Sequence, residues 1–352
     1  MKGKYKGIIL AITAALLYAL NTPISKQLLN HVDETMMAAL LYLGAGIGIF
    51  LVGMFEKIMG NETKKEKLTK NELPYTIGMI VLDIIAPILL MIGIKNTTSA
   101  NVSLLNNFEI VATSLIALFI FKEVISKKLW YAIILVTVAS ILLGFEGIGS
   151  FDFNTGSLFV IGACICWGFE NNCTRMISNK NAMEIVVIKG CFSGLGSMII
   201  ALTIGEEFPQ MMYILAVLAL GFVAYGLSIY FYILAQKDLG AAKTSAYYSV
   251  APFLGVVLCM MINGERPAGQ FYIAFLIMIV ATILMIKDNI ELQHTHDHIH
   301  EHCHEHSHGD LVHTHKHTHS HTHLHIHEED GEKHGHSHDD FDLEGHDHIH
   351  IS

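Results

Sequence analysis

Charge is what this sequence has least of. Of its 352 residues only 15% are Asp, Glu, Lys or Arg, and 52% are hydrophobic; a soluble domain carries about 25% charged residues. The solvent suited to such a chain is lipid. Cysteine is sparse too, six in all, with Cys164, Cys166, Cys173, Cys191 and Cys259 in apolar stretches and Cys303 near the far end. That spacing excludes a disulfide framework or a zinc ribbon and leaves most of them as small buried apolar residues. Histidine is missing from residues 1–290 apart from His31, so the apolar part has no membrane-embedded imidazole. Residues 291–352 nearly lack bases: they hold 14 of the 32 acids, two of the 22 bases and 22 of the 23 histidines, and so are formally −12 against +2 for the rest.

What is present is a series of apolar runs near the 20 residues that a helix needs to cross about 30 Å of hydrocarbon. Ten are expected, over 7–29, 36–55, 73–94, 100–121, 129–148, 156–177, 185–204, 211–234, 242–262 and 270–287. Lys2, Lys4 and Lys6 before the first run imitate a signal peptide. The run is long, however, and a second span follows without an A-x-A site, which points to a retained helix. Lysines concentrate in alternate connections (Lys57, Lys64, Lys65, Lys67, Lys70; Lys122, Lys127, Lys128; Lys180; Lys237, Lys243). The positive-inside rule then predicts a multi-pass protein of the cell (plasma or inner) membrane with both termini cytoplasmic.

Internal repetition divides the chain. ITAALLYALNTPISKQLLN (12–30) aligns with IGACICWGFENNCTRMISN (161–179), pairing Tyr18 with Trp167, Asn21 with Glu170 and Lys26 with Arg175. KNTTSANVS (95–103) matches KDLGAAKTS (237–245), and Glu123 matches Glu265. The expected domains are residues 1–148 and 149–290, five helices each, followed by a tail over 291–352. Because five is odd, the halves enter the membrane from opposite sides, an inverted repeat of the kind that encloses a midplane site in secondary transporters.

YALNTPISK and WGFENNCTR, together with SANVSLLNNFEIVATSLIALFIFKE and AKTSAYYSVAPFLGVVLCMMINGE, resemble the drug/metabolite transporter (DMT) superfamily, EamA-type permeases, over residues 7–287. Members often carry Glu-Pro and then Gly-Glu in these stretches. Here Ile110 follows Glu109 and Lys122 precedes Glu123, whereas Ala251-Pro252 and Gly264-Glu265 keep half and all of the respective pairs. The resemblance implies an all-α integral membrane carrier of ten transmembrane helices working by alternating access, not an enzyme. It does not identify a substrate.

Ionisable groups deep in a span are costly and usually face a wet cavity or a partner. Asp83 and Glu109 lie near the middle of their runs, and a carboxylate there can couple a proton or ion gradient to solute movement. Pro87, four residues beyond Asp83, favours a kink. Glu170 and Asn171, with Asn172, form a polar patch; Asn21 is the repeat equivalent of Glu170; Asn106 and Asn107 precede Glu109. The transport or coupling candidates are therefore Asp83, Glu109, Glu170, Asn21, Asn106 and Asn171, although amides in membranes also serve simply to tie helices together. Lys189 and Arg175 read first as snorkelling side chains near the inner interface, with reception of an anionic cargo group as the alternative. Tyr18, Trp167, Tyr225, Tyr247 and Tyr248 are candidate cavity aromatics, and Gly44-x-x-x-Gly48 and Gly190-x-x-x-Gly194 are packing steps.

The tail has a different chemistry. Histidine takes every second position at His294, His296, His298, His300, His302, His304, His306 and His308, and again at His313, His315, His317, His319, His321, His323, His325 and His327. His334, His336 and His338 and then His346, His348 and His350 follow. With few apolar residues to bury, the tail is expected to be disordered. These imidazoles, with Cys303 and nearby carboxylates, suit a divalent transition metal (Zn, Ni, Co or Cu), about five ions at four ligands each. HEHCH and HEHSH satisfy H-E-x-x-H by composition, with no helix to bring the pair to one face, so a metalloprotease is not inferred. A pH sensor is the competing use of the histidines.

Three functions follow. The leading one is a secondary active transporter of a small solute with a metal-binding cytoplasmic tail. The second makes the transition metal the cargo, exported from or imported to that tail; the third is a membrane-anchored metal buffer or sensor. Expected partners are the lipid bilayer, a small-molecule or ion substrate and transition-metal ions. A homodimer is left open, no nucleic acid is expected, and no cofactor is required.

Overall fold

A computed structural model describes residues 2–58, 68–121, 126–144, 154–177, 180–239, 244, 247–308 and 311–326. Up to residue 292 the described secondary structure is helical. Eight stretches are long and apolar enough to cross a bilayer: Tyr5–Leu28, Glu34–Ile58, Lys70–Asn96, Ser99–Ile120, Lys127–Gly144, Met183–Thr203, Met211–Ala235 and Gly269–Lys287. Two of the ten expected runs differ. The sixth is a 22-residue helix, Thr155–Met176, whose GFENNCTR end dilutes its hydropathy. The ninth shows a 13-residue apolar helix, Ala251–Asn263, with part of the preceding segment outside the described residues.

In chain order the helices are α1 (Lys2–Ala19), α2 (Asn21–Leu28), α3 (Glu34–Ile58), α4 (Leu73–Asn96), α5 (Ser99–Leu105), α6 (Phe108–Phe121), α7 (Lys127–Gly144), α8 (Thr155–Met176), α9 (Ala182–Thr203), α10 (Met211–Gly221), α11 (Ser228–Leu239), α12 (Ala251–Asn263) and α13 (Gly269–Leu292). Three expected single spans are interrupted. The first breaks at Leu20, the fourth at Asn106 and Asn107, and the eighth passes through a π-helical segment, Phe222–Leu227. In lipid, backbone can leave the α-helical pattern only where protein or a wet cavity satisfies it, and π segments cluster at functional sites. All three breaks lie beside residues that line or support one cavity.

Burial differs from that of a soluble protein in its outer face. Phe50, Phe55, Phe119, Ile199 and Leu276 are exposed, whereas Asn21, Ser25, Asp83, Ser103, Asn107, Glu170 and Asn172 are buried within a largely apolar core. The outer surface is therefore apolar and the polar groups are held inside, as lipid solvation requires. The longest contacts join α4 to α8 and α3 to α9, across the two sequence halves. The α3–α9 crossing depends on Gly190, where a Cβ would stand 2.5 Å from the Cα of Gly46. Of the sequence's packing steps, Gly44 meets Leu218 and Gly48 meets Phe222, while Gly194 meets Leu43; close approach is what these glycines provide.

Part of the tail falls within the described residues. Strands β1 (Gln293–His308) and β2 (Leu311–Ile326) pair antiparallel. A strict period of two fits a pleat, and Gly309-Asp310 is a two-residue hairpin connector in sequence. The register sets His294 opposite His325, His298 opposite His321, His302 opposite His317 and His306 opposite His313. Residues 327–352, with His327, His334, His336, His338, His346, His348 and His350, lie outside the described residues, as does Glu123.

Candidate functional site

A cavity of about 580 Å³ lies between the halves. Its lining descends from Asn106, Tyr18 and Glu109 in the middle of the bundle to Thr174, Val186 and Tyr232, near where α8 ends and α9 begins. At 1.5 Å per residue, Asn106 lies about 10 Å and Glu109 about 15 Å in from the start of α5.

Lys189 organises the charges. Its Nζ stands 3.1 Å from Asp83 Oδ2 and 2.9 Å from Glu170 Oε1, bridging α4, α8 and α9. The side chain is 20% exposed and lines the cavity, so the interfacial, snorkelling role expected for it is corrected: Lys189 is the internal counter-charge of two buried acids. Periodicity could not reveal this, because the run 185–204 puts Lys189 near a span end and only the α3–α9 crossing turns it inward. Its neighbour Gly190 allows that crossing. Arg175 is exposed, in keeping with a snorkelling side chain.

Asp83 is fully buried behind Lys189, its other oxygen accepting from Tyr42 Oη at 3.0 Å, and Trp167 Nε1 donates in turn to that hydroxyl at 3.4 Å. Glu170 also accepts from Thr174 Oγ1. Pro87 is accommodated within α4, and because it has no N–H it leaves the Asp83 carbonyl without its helical donor.

Glu109 is the second residue of α6, just after the Asn106–Asn107 break. Its Oε1 accepts from Asn171 Nδ2 at 2.7 Å, and among the described residues no ion pair involves it. Asn106 lines the same cavity, and its buried Oδ1 has no hydrogen-bond partner among the described residues. Asn21 is one layer behind, donating to Tyr225 Oη at 3.1 Å and accepting from Ser25 Oγ. Asn172 has the tying role instead, donating to the carbonyls of Thr113 and Gly168.

Of the aromatic candidates, Tyr18, Trp167, Tyr225 and Tyr248 line the cavity with Tyr42 and Tyr232, Tyr18 meeting Tyr225 edge-on at 5.9 Å. Tyr247 is 36% exposed and outside that lining. Tyr42 was not legible as a site residue, since a tyrosine within an apolar run has no signal of its own.

The opposite end of the bundle is tied by contacts between segments far apart in the sequence. Gly264, at φ +64°, ends α12 in the left-handed region that favours glycine. Glu265 then reaches the N-terminus of α5, accepting from Ser99 N (2.8 Å), Ser99 Oγ (2.5 Å) and Ala100 N (2.8 Å). Glu206 does the same for α3, accepting from Thr35 N and Met36 N. Lys26 donates to the carbonyls of Ile94, Lys95 and Thr97 at the end of α4, and Asn263 to those of Pro23 and to Ser99 Oγ. Carboxylates at helix N-termini and an ammonium at a C-terminus all complement the helix dipole.

Comparison with known proteins gives the same architecture. An uncharacterized transporter of Methanothermobacter thermautotrophicus is 23% identical over 79% of this chain and 85% of its own length. One of Clostridium kluyveri is 25% identical over 81% of this chain and 94% of its own. A crystal structure of another protein superposes with a TM-score of 0.59 at 17% identity, covering 81% of this chain and 97% of that one, a likeness of fold. The model of the EamA-like transporter family matches residues 5–145 and 154–287, the stretches that contribute every cavity residue named above. The chain therefore belongs to the EamA-like transporter family, as a multi-pass membrane permease and not an enzyme.

Proposed function

We propose that this permease is a secondary active carrier that moves a small solute through the Glu109 cavity by alternating access, coupled to protons or another ion. Its ten spans form two inverted halves, 1–148 and 149–290, with both termini cytoplasmic, and its tail binds transition metal. The observation that carries the reading is the asymmetry of the bundle. Glu109 and Glu170 line a cavity that reaches toward one end, with Asp83 behind Lys189, while the other end is tied by cross-half contacts through Lys26, Glu206, Asn263 and Glu265. Such an arrangement is one limb of an alternating-access cycle, with the site exposed to one side. The lysine distribution assigns that side to the cytoplasm.

Flux of candidate solutes into proteoliposomes under an imposed pH gradient tests the carrier. Glu109→Gln and Asp83→Asn are expected to abolish gradient-driven uptake, and full activity of both variants would refute the site. For the tail, opposed histidines along β1 and β2 support transition-metal capture. Equilibrium dialysis against Zn²⁺ should show several ions bound by the full chain and none by a chain ending at residue 292. Metal as cargo is the second reading, set apart by cellular metal accumulation: tail deletion and carboxylate substitutions would both change it only if metal crosses the bilayer.

A further inference from the structure

We infer that the cavity takes its solute by a primary ammonium group, with Glu109 as counter-charge and Asn106 Oδ1 as a second acceptor. The inference rests on the carrier reading of this cavity and names the class of its cargo.

Charge balance is the first argument. Asp83, Glu109, Glu170 and Lys189 are formally −2 when all are ionised, and the lysine is already shared between Asp83 and Glu170. Glu109 is the acid left over, with only the neutral Asn171 amide on its carboxylate among the described residues. Negative charge left unpaired so deep in a bundle costs several kcal/mol, so what enters beside it must be a cation or a proton. An anionic group would meet that surplus with the one described cation of the cluster occupied.

The second argument is the hydrogen-bond pattern. Asn106 Oδ1 is a buried acceptor with no donor among the described residues, a deficit that costs a buried polar group about 1–3 kcal/mol. It lies three residues before Glu109, within the turn where Glu109 N donates to Asn106 O at 3.2 Å, and both residues line the cavity. Two neighbouring acceptors, one of them a carboxylate short of positive charge, call for a ligand with at least two N–H donors and a positive charge. A primary ammonium has three; a quaternary ammonium has none. A bare transition metal fits less well, because no group of three or more His, Cys, Asp or Glu suited to a metal occurs among the described residues.

The walls supply the rest. Tyr18, Trp167, Tyr225 and Tyr248 present rings to the same space, favourable both for a cation and for an apolar body attached to it. At about 580 Å³ the volume falls within the range of small-molecule sites.

The sequence has two tryptophans, so a Trp130→Phe background leaves Trp167, in the cavity wall, as the only indole. Its fluorescence in the detergent-solubilised full chain is titrated with 2-phenylethylammonium, with the N,N,N-trimethyl form of that cation, and with phenylacetate. Phenylethylammonium is expected to bind at least about tenfold tighter than the trimethyl cation, with phenylacetate silent. Glu109→Gln should weaken both cations by about tenfold or more, whereas Asn106→Ala should weaken only the primary ammonium, each variant first checked for an unchanged melting temperature. Equal affinity for the two cations, phenylethylammonium binding untouched by Glu109→Gln, or tighter binding of phenylacetate overturns the ammonium assignment while leaving the carrier intact. Silence toward all three probes overturns both the assignment and the cavity's role as a solute site.

Discussion

Glu206 and Glu265 at one end of the bundle and Asp83, Glu109 and Glu170 in its middle are the same chemical group in opposite surroundings. The first two accept from backbone N–H groups at the starts of α3 and α5, donors that are fixed in place and belong to the fold. Of the middle three, Asp83 and Glu170 share one lysine, and Glu109 has an amide in place of a cation. A carboxylate saturated by helix termini has structural work only. One that is left short of positive charge inside a cavity has no such saturation, and this shortage distinguishes the cavity from the tied end of the bundle.

The contrast can be broken in order of severity. Lys189→Met removes the only described counter-charge of Asp83 and Glu170, and should cost about 3–5 kcal/mol because buried charges are left unpaired. It would be read as a large drop in melting temperature in detergent, and adding Asp83→Asn and Glu170→Gln should recover much of it. Gly190→Ala places a Cβ against Gly46; overpacking of this kind costs about 1–3 kcal/mol, and the α3–α9 separation, measured by spin labels on those helices, should widen. Glu265→Ala uncaps α5 for about 0.5–2 kcal/mol, with faster labelling of a cysteine placed at Asn101 as the tied end loosens. Glu109→Gln should alter the melting temperature least of the four, since no ion pair is lost, and yet stop gradient-driven flux. Comparable destabilisation by Glu109→Gln and Lys189→Met would erase the distinction between the two kinds of acid.

Much of the site was legible because membrane burial makes polar residues conspicuous. Asp83, Glu109, Glu170 and Asn171 stand out in runs that otherwise contain almost nothing ionisable, and the structure brings them to one cavity and its immediate support. Lys189 was misread because its place near the start of a run fits both an interfacial lysine and an internal one. Tyr42, which holds Asp83, left no trace at all. Tyr247 and Tyr248 are adjacent in sequence and yet only Tyr248 lines the cavity, since neighbouring positions on a helical turn face different directions. The tail reversed the usual difficulty: its alternation suggested ligands, while the pairing of Gln293–His308 with Leu311–Ile326 added a register that composition does not state.

By itself the sequence determined the solvent, the approximate helices, the repetition of the two halves and the presence of costly acids among them. Those properties depend on composition and period, which any local stretch expresses. Tertiary structure decided which acids share Lys189, which one is left without a cation, and which end of the bundle is tied. Partnership is a matter of distance across helices that are far apart in the chain, and no local pattern of residues encodes that distance.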